Sequence, residues 1–216
     1  MKIILKLSFL FCLSVQAEQT VINNYADARD NYFWSKLYID NKGESLYCGL
    51  NRPFPQAEKE SIEHVYAADW MAKHYGCSDR NCDHPDYKRA EGDLHNLWPE
   101  IQRINSSRGK SLYNEIEPDH KRFPHLCDDY ERSSKSGDIP AYVEPRELVK
   151  GNIARSIFYM YIEYGLPVPG DMKAMLKRWN RLDPPGEHEH WRNDFIFELQ
   201  GTRNTFIDNY FLGNAL

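Results

Sequence analysis

Beyond residue 17 the sequence has no apolar run long enough to cross a bilayer. It has no internal repeat and no low-complexity tract, which excludes solenoid arrays and extended disordered linkers. It lacks a glycine-rich phosphate loop, zinc-finger spacing and a recognition-helix pattern, so neither nucleotide hydrolysis on a P-loop nor base-specific readout is expected. Positive charge is also short. Lys and Arg number 27 against 32 Asp and Glu, a formal net charge of −5. Taken over the whole chain, that argues against a polyanionic partner. The deficit is uneven, because residues 145 to 181 hold seven Lys or Arg against three acids. A basic face on an acidic protein and a merely solvated helix surface fit that count equally well.

What is present starts with a leader. Lys2 and Lys6 give a short basic start, Ile3 to Val15 is mostly apolar, and Val15-Gln16-Ala17 ends in the small residue of a signal-peptidase site. Residues 1–17 are read as a signal peptide, which also removes Cys12. The remaining residues, 18–216, form one domain of an exported, soluble protein. Cys48, Cys77, Cys82 and Cys127 remain. An even count in an exported protein favours disulfides, with three connectivities open. Cys77 and Cys82 are close enough to close a small loop, which leaves Cys48 for Cys127. A metal site of Cys77, Cys82 and His84 lacks a clear fourth ligand.

Periodicity predicts a mixed α+β domain in which helix dominates. A helix is expected over 26–38, a strand over 62–66, a short helix over 69–75 and a polar loop over 76–86. A second strand is expected over 92–97. Pro99 suits the first turn of a helix running through 99–106. Residues 121–141 read as a long loop. Helices follow over 146–164, ended by Gly165, over 171–180, and over 187–200, stopped by Gly201.

The stretch Ser61-Ile62-Glu63-His64-Val65-Tyr66 sets a carboxylate beside an imidazole. If the helix after Pro99 packs on the two strands, Asn105 turns toward Glu63 and His64. Glu63 and Asn105 then offer two hard oxygens, suited to Mg²⁺, which keeps several waters. His64 in its neutral form can take a proton from water. Adjacent strand residues face opposite sides, so the pair has to sit at a strand end or a bend. Other candidates read as structural. His95 has no assigned role, and His188 and His190 stand two apart at a helix start.

Together the residues resemble the bacterial endonuclease I family of exported, non-specific DNA/RNA nucleases, which belong to the ββα-metal or His-Me finger class. The resemblance runs from Leu46 to Asp208. It is carried by LYCGL at 46–50, IEHV at 62–65, RNC at 80–82, EGDLHNLWPEIQRIN at 91–105 with Arg108 after it, VEPRELVKGNIARSIFYM at 143–160, and QGTRNTFID at 200–208. It implies a domain built around a ββα-metal core, with His64 as general base and Glu63 and Asn105 as Mg²⁺ ligands. Mn²⁺ or Ca²⁺ would be substitutes. It also implies Arg80 on the scissile phosphate, Glu91 near the active centre, and cleavage leaving 5′-phosphate ends on DNA, with RNA as a second substrate. Arg108, Arg146, Arg155 and Arg203 are candidate phosphate contacts without sequence preference. The expected enzyme is a periplasmic or secreted monomer with no membrane partner. Where the family has a Pro soon after the His, this chain reads EHVYAADW. A binding protein that keeps the scaffold without turnover is the rival reading, and a secreted zinc hydrolase is a more distant one.

Overall fold

The computed structural model describes residues 19–216 apart from 56, 57, 118, 119, 138 and 170. The leader read at residues 1–17 lies outside the described residues. The chain is mixed α+β, with helices dominating. It opens on α1, a single α-turn at Tyr25–Asp27 that continues as π-helix over Ala28–Leu37. Wider winding, seen in the bond from the Tyr38 N–H to the Phe33 carbonyl at 2.8 Å, changes which side chains share a face. Phe33, Leu37 and Tyr38 are buried, whereas Trp34 stays partly exposed beneath the Arg52 guanidinium at 4.4 Å.

The centre of the molecule is an antiparallel pair, β1 (Glu60–His64) and β2 (Leu97–Ile101), in which His64 faces Leu97 and Glu60 faces Ile101. Between them lie α2 (Ala68–His74) and α3 (Pro85–Glu91). Directly after β2 comes α4 (Gln102–Arg108). The second strand and this helix therefore begin later than the sequence suggests. Asp93 accepts from the His95 N–H at 2.9 Å and caps a 3-10 turn at Leu94–Asn96, so extended backbone starts only at Leu97. Pro99 belongs to the strand and not to the helix. Its carbonyl accepts from Leu46 N–H at 3.0 Å on the edge away from β1. The nitrogen faces that same outer edge, so the missing N–H costs the β1–β2 ladder nothing.

A second sheet has the order β3-β6-β5-β4, from Leu112–Tyr113, Tyr142–Glu144, Cys127–Arg132 and Lys121–Phe123. Two of these strands occupy the segment the sequence marks as a loop. Their charged outer residues mask the pattern, while Cys127 and Tyr130 turn inward and are buried. The last third holds α5 (Lys150–Tyr164), α6 (Met172–Leu182), α7 (Glu187–Gln200) and α8 (Thr205–Asp208). Ile153, Ala154, Ile157, Phe158 and Met160 are completely buried on α5. Gly165 and Gly201 end α5 and α7 in the left-handed conformation, as their positions predict. Gly151 lets α5 pass the turn after α6, since a Cβ there would lie 1.9 Å from the Asp183 carbonyl oxygen. Disulfides join Cys48 to Cys127 and Cys77 to Cys82, so Cys77 and Cys82 are not available as metal ligands beside His84. No helix among the described residues is long and apolar enough to cross a membrane.

Candidate active site

A cleft of about 810 Å³ opens over the end of β1, and Glu63, His64, Arg80, Glu91 and Asn105 all line it. His64 is the last residue of β1, which meets the demand that adjacent carboxylate and imidazole escape strand alternation. Beyond it the chain turns under a clamp. Asn96 accepts from the Tyr66 N–H at 2.6 Å and donates to the Tyr66 carbonyl at 3.0 Å. That amide fixes the turn after His64.

His64 is partly buried, with its ring 4.9 Å from that of Tyr25. Its Nε2 stands 3.0 Å from the Glu91 backbone carbonyl. A carbonyl only accepts, so the proton sits on Nε2 and the lone pair is on Nδ1. Burial, assisted by the charges of Arg108 and Arg80, pushes the imidazole down to about 4 against the pull of that carbonyl. The ring is neutral at pH 7 and able to accept a proton.

Glu63 is buried to 1 % exposure. Its Oε1 accepts from the Tyr47 hydroxyl at 2.7 Å and faces Arg108 Nη1 at 3.0 Å. Oε2 has no hydrogen-bond partner among the described residues. Burial raises the Glu63 carboxyl, and Arg108 and then Tyr47 oppose that rise. On α4, the Asn105 amide nitrogen donates to the Ile62 carbonyl at 2.8 Å and to Ser61 Oγ at 3.1 Å. Since the Ile62 carbonyl must face the NH₂ group, Oδ1 is the atom left over. The donor set suits a hard cation: a carboxylate oxygen and an amide oxygen beside open cleft.

Arg80 lies in the loop closed by Cys77 and Cys82, with its side chain 70 % exposed and Nε 3.7 Å from Asp69 Oδ2. The Tyr87 hydroxyl lies between the Arg80 carbonyl, at 3.2 Å, and Glu91 Oε1, at 2.8 Å. Glu91 makes no ion pair with Arg80 within 4 Å; its contact with the site is the backbone carbonyl on His64. Burial raises its carboxyl.

The family model described as Endonuclease I matches residues 14–210. The chain belongs to the endonuclease I family. Among similar proteins, an extracellular deoxyribonuclease of Aeromonas hydrophila is 29 % identical over 233 residues, covering 95 % of this chain and 96 % of the relative. A periplasmic deoxyribonuclease of the same organism is 31 % identical, covering 80 % and 81 %. An extracellular ribonuclease of Bacillus subtilis (strain 168) is 29 % identical, covering 71 % of this chain and 56 % of the relative.

Within this endonuclease I chain, the four arginines read as phosphate contacts all have carboxylate partners, and Arg108 among them lines the cleft. Arg108 is 1 % exposed and donates to the carbonyls of His64 at 2.8 Å and Val65 at 2.7 Å, between the Trp70 and Tyr113 rings. It braces the turn after His64 from inside. Arg155 is fully buried against Glu189, with Nε–Oε1 at 2.8 Å and Nη2–Oε2 at 2.5 Å. Arg146 is 13 % exposed, pairs with Glu44 and donates to the Leu46 carbonyl at 3.1 Å. Arg203 is paired with Asp208 and Asp194. Tyr25, Arg29 and Trp34, which carry no site signal in the sequence, also line the cleft, brought there by α1 and the π-helix that continues it. The π-winding that leaves Trp34 partly exposed has no sequence signature. His95 is structural as expected: fully buried, with Nε2 3.0 Å from the Thr202 carbonyl.

Proposed function

We propose that the chain is an exported endonuclease that hydrolyses phosphodiester bonds of DNA, and of RNA as a second substrate, without sequence preference. The observation that carries this reading is the meeting of Glu63, His64, Asn105 and Arg80 in one cleft, with the His64 Nε2 proton engaged by a carbonyl. The extracellular and periplasmic deoxyribonucleases and the ribonuclease among its relatives support the substrate class and the export. The pair β1–β2 followed by α4 has the order of a ββα-metal core.

Glu63 and Asn105 would hold one divalent ion, Mg²⁺ by the hardness of their oxygens, with Mn²⁺ or Ca²⁺ as substitutes. Bound there, the ion would neutralise charge on the scissile phosphate and the departing oxygen. His64 Nδ1 takes a proton from water, and the hydroxide oxygen bonds to phosphorus as the bond to the 3′ oxygen breaks. That oxygen leaves as a 3′-hydroxyl after taking a proton from solvent, and the 5′-phosphate stays on the other strand end. Arg80, exposed and in the cleft, holds the phosphate by its N–H donors. Glu91 serves through its carbonyl, which fixes the His64 tautomer.

Supercoiled plasmid incubated with the purified protein should be nicked and linearised in Mg²⁺ and left intact in EDTA, with 5′-phosphate ends on the products. Binding of plasmid without nicking in Mg²⁺ would favour a scaffold without turnover and defeat the reading.

A further inference from the structure

The LYCGL stretch is prominent in the sequence yet supplies no group to the proposed reaction. The structure gives it a different task. Tyr47 is completely buried, and its hydroxyl donates to Glu63 Oε1 at 2.7 Å. The Tyr113 hydroxyl backs it at 2.8 Å. The Tyr47 backbone N–H donates to Glu100 Oε2 at 2.7 Å, and the neighbouring Leu46 N–H donates to the Pro99 carbonyl at 3.0 Å. The next residue, Cys48, is bridged to Cys127 on β5. Tyr47 is thus a post fixed to β2 on one side and to the second sheet on the other.

We infer that Tyr47 is a positioning residue that holds the Glu63 carboxylate in the orientation needed to bind the divalent ion. The inference rests on the reading of Glu63 as an ion ligand. A glutamate has three side-chain torsions, and a free one must be ordered at the moment of binding. Here the Tyr47 hydroxyl donates to Oε1 and the Arg108 guanidinium stands 3.0 Å from the same oxygen, which aligns the carboxylate and leaves Oε2 for a ligand. Arg108 alone would not suffice. It also serves the carbonyls of His64 and Val65, and an unopposed ion pair would draw the carboxylate toward the guanidinium. The tyrosine hydroxyl is a neutral counter-anchor that fixes the oxygen without competing for its charge. Groups that orient ion ligands from behind typically contribute tenfold or more to affinity.

The test is titration of the full chain with Mn²⁺ in the absence of nucleic acid, followed by electron paramagnetic resonance or calorimetry. Tyr47→Phe removes one hydroxyl and keeps the ring. It should stay folded by circular dichroism and weaken Mn²⁺ binding by about tenfold or more. Its plasmid cleavage should show a raised KM for Mg²⁺, with kcat recovering toward wild type when Mg²⁺ is saturating. Tyr113→Phe, one bond further from Glu63, should weaken Mn²⁺ less. If Tyr47→Phe binds Mn²⁺ with the wild-type Kd, whatever its melting temperature, the positioning role is overturned. Glu63→Gln in the same titration separates this from the parent reading. Loss of binding there with none in Tyr47→Phe defeats only the positioning inference, and wild-type binding in Glu63→Gln defeats the ligand assignment itself.

Discussion

His64 and His95 illustrate how surroundings decide what an imidazole does. Both are pushed down to about 4 by burial, yet only His64 lines a cleft. His95 is sealed between Tyr159, at 4.6 Å ring to ring, and the Thr202 carbonyl, so it can contribute to stability alone. In the unfolded chain both rings take protons near the ordinary value of about 6.5. The folded chain holds them neutral until about 4. Their neutral burial is therefore fully tolerated above about 6.5, and stability is lost as pH falls from there toward 4, on the order of 3 kcal/mol per ring. Glu100 runs the other way. Burial raises it to about 8 against the N–H groups of Tyr47 and Ile101, so its contribution weakens as pH climbs toward 8. In urea unfolding measured from pH 7 to pH 5, the two rings lower stability while Glu100 raises it, and His95→Gln should remove one of the lowering contributions, shifting the slope by that amount whatever it does to stability at pH 7. An unchanged slope in the variant would remove His95 from the account.

Among the elements, those with a strong period and a clear stop were legible. Helices α5, α6 and α7 are all found near their expected bounds, because Gly165 and Gly201 mark two of the ends and apolar side chains recur at helical spacing. The β1–β2–α4 unit was legible in kind but not in register. Pro99 carries a helix-start signal that tertiary pairing overrides, and Asp93 spends three residues on a cap before the strand begins. Asn105 nevertheless reaches the cleft, held by its bond to the Ile62 carbonyl. Side-chain commitments were not legible at all. A surface arginine and a buried one look alike in sequence, and Arg155 on α5 is buried against Glu189 of α7. Glu189→Ala would strand that guanidinium without a carboxylate and should cost about 3 to 5 kcal/mol in unfolding free energy. Arg203→Ala, at the exposed pairs with Asp194 and Asp208, should cost about 1 kcal/mol or less. Chemical denaturation of the two variants compares them directly, and similar costs would contradict the contrast.

At the scale of the whole molecule, an acidic chain is assigned a polyanionic substrate, and its cleft is not basic either: Arg29, Arg80 and Arg108 line it together with Glu60, Glu63, Asp69 and Glu91. Arg108, Arg146, Arg155 and Arg203 are tied to Glu63, Glu44, Glu189, and Asp194 with Asp208. The cleft presents Arg80, exposed and 3.7 Å from Asp69, and Arg29, exposed and paired with Asp30, beside the oxygens of Glu63 and Asn105. Two disulfides fasten the parts that matter to it: one closes the loop bearing Arg80, and the other ties the Tyr47 segment to the second sheet. The central claim is that this cleft, through the His64 lone pair, does the cutting. The measurement that tests it most directly is the single-turnover rate of plasmid cleavage in saturating Mg²⁺ by His64→Ala, beside its affinity for the same DNA. The account predicts a rate lower by at least about a hundredfold with binding retained. Cleavage at the wild-type rate would contradict it.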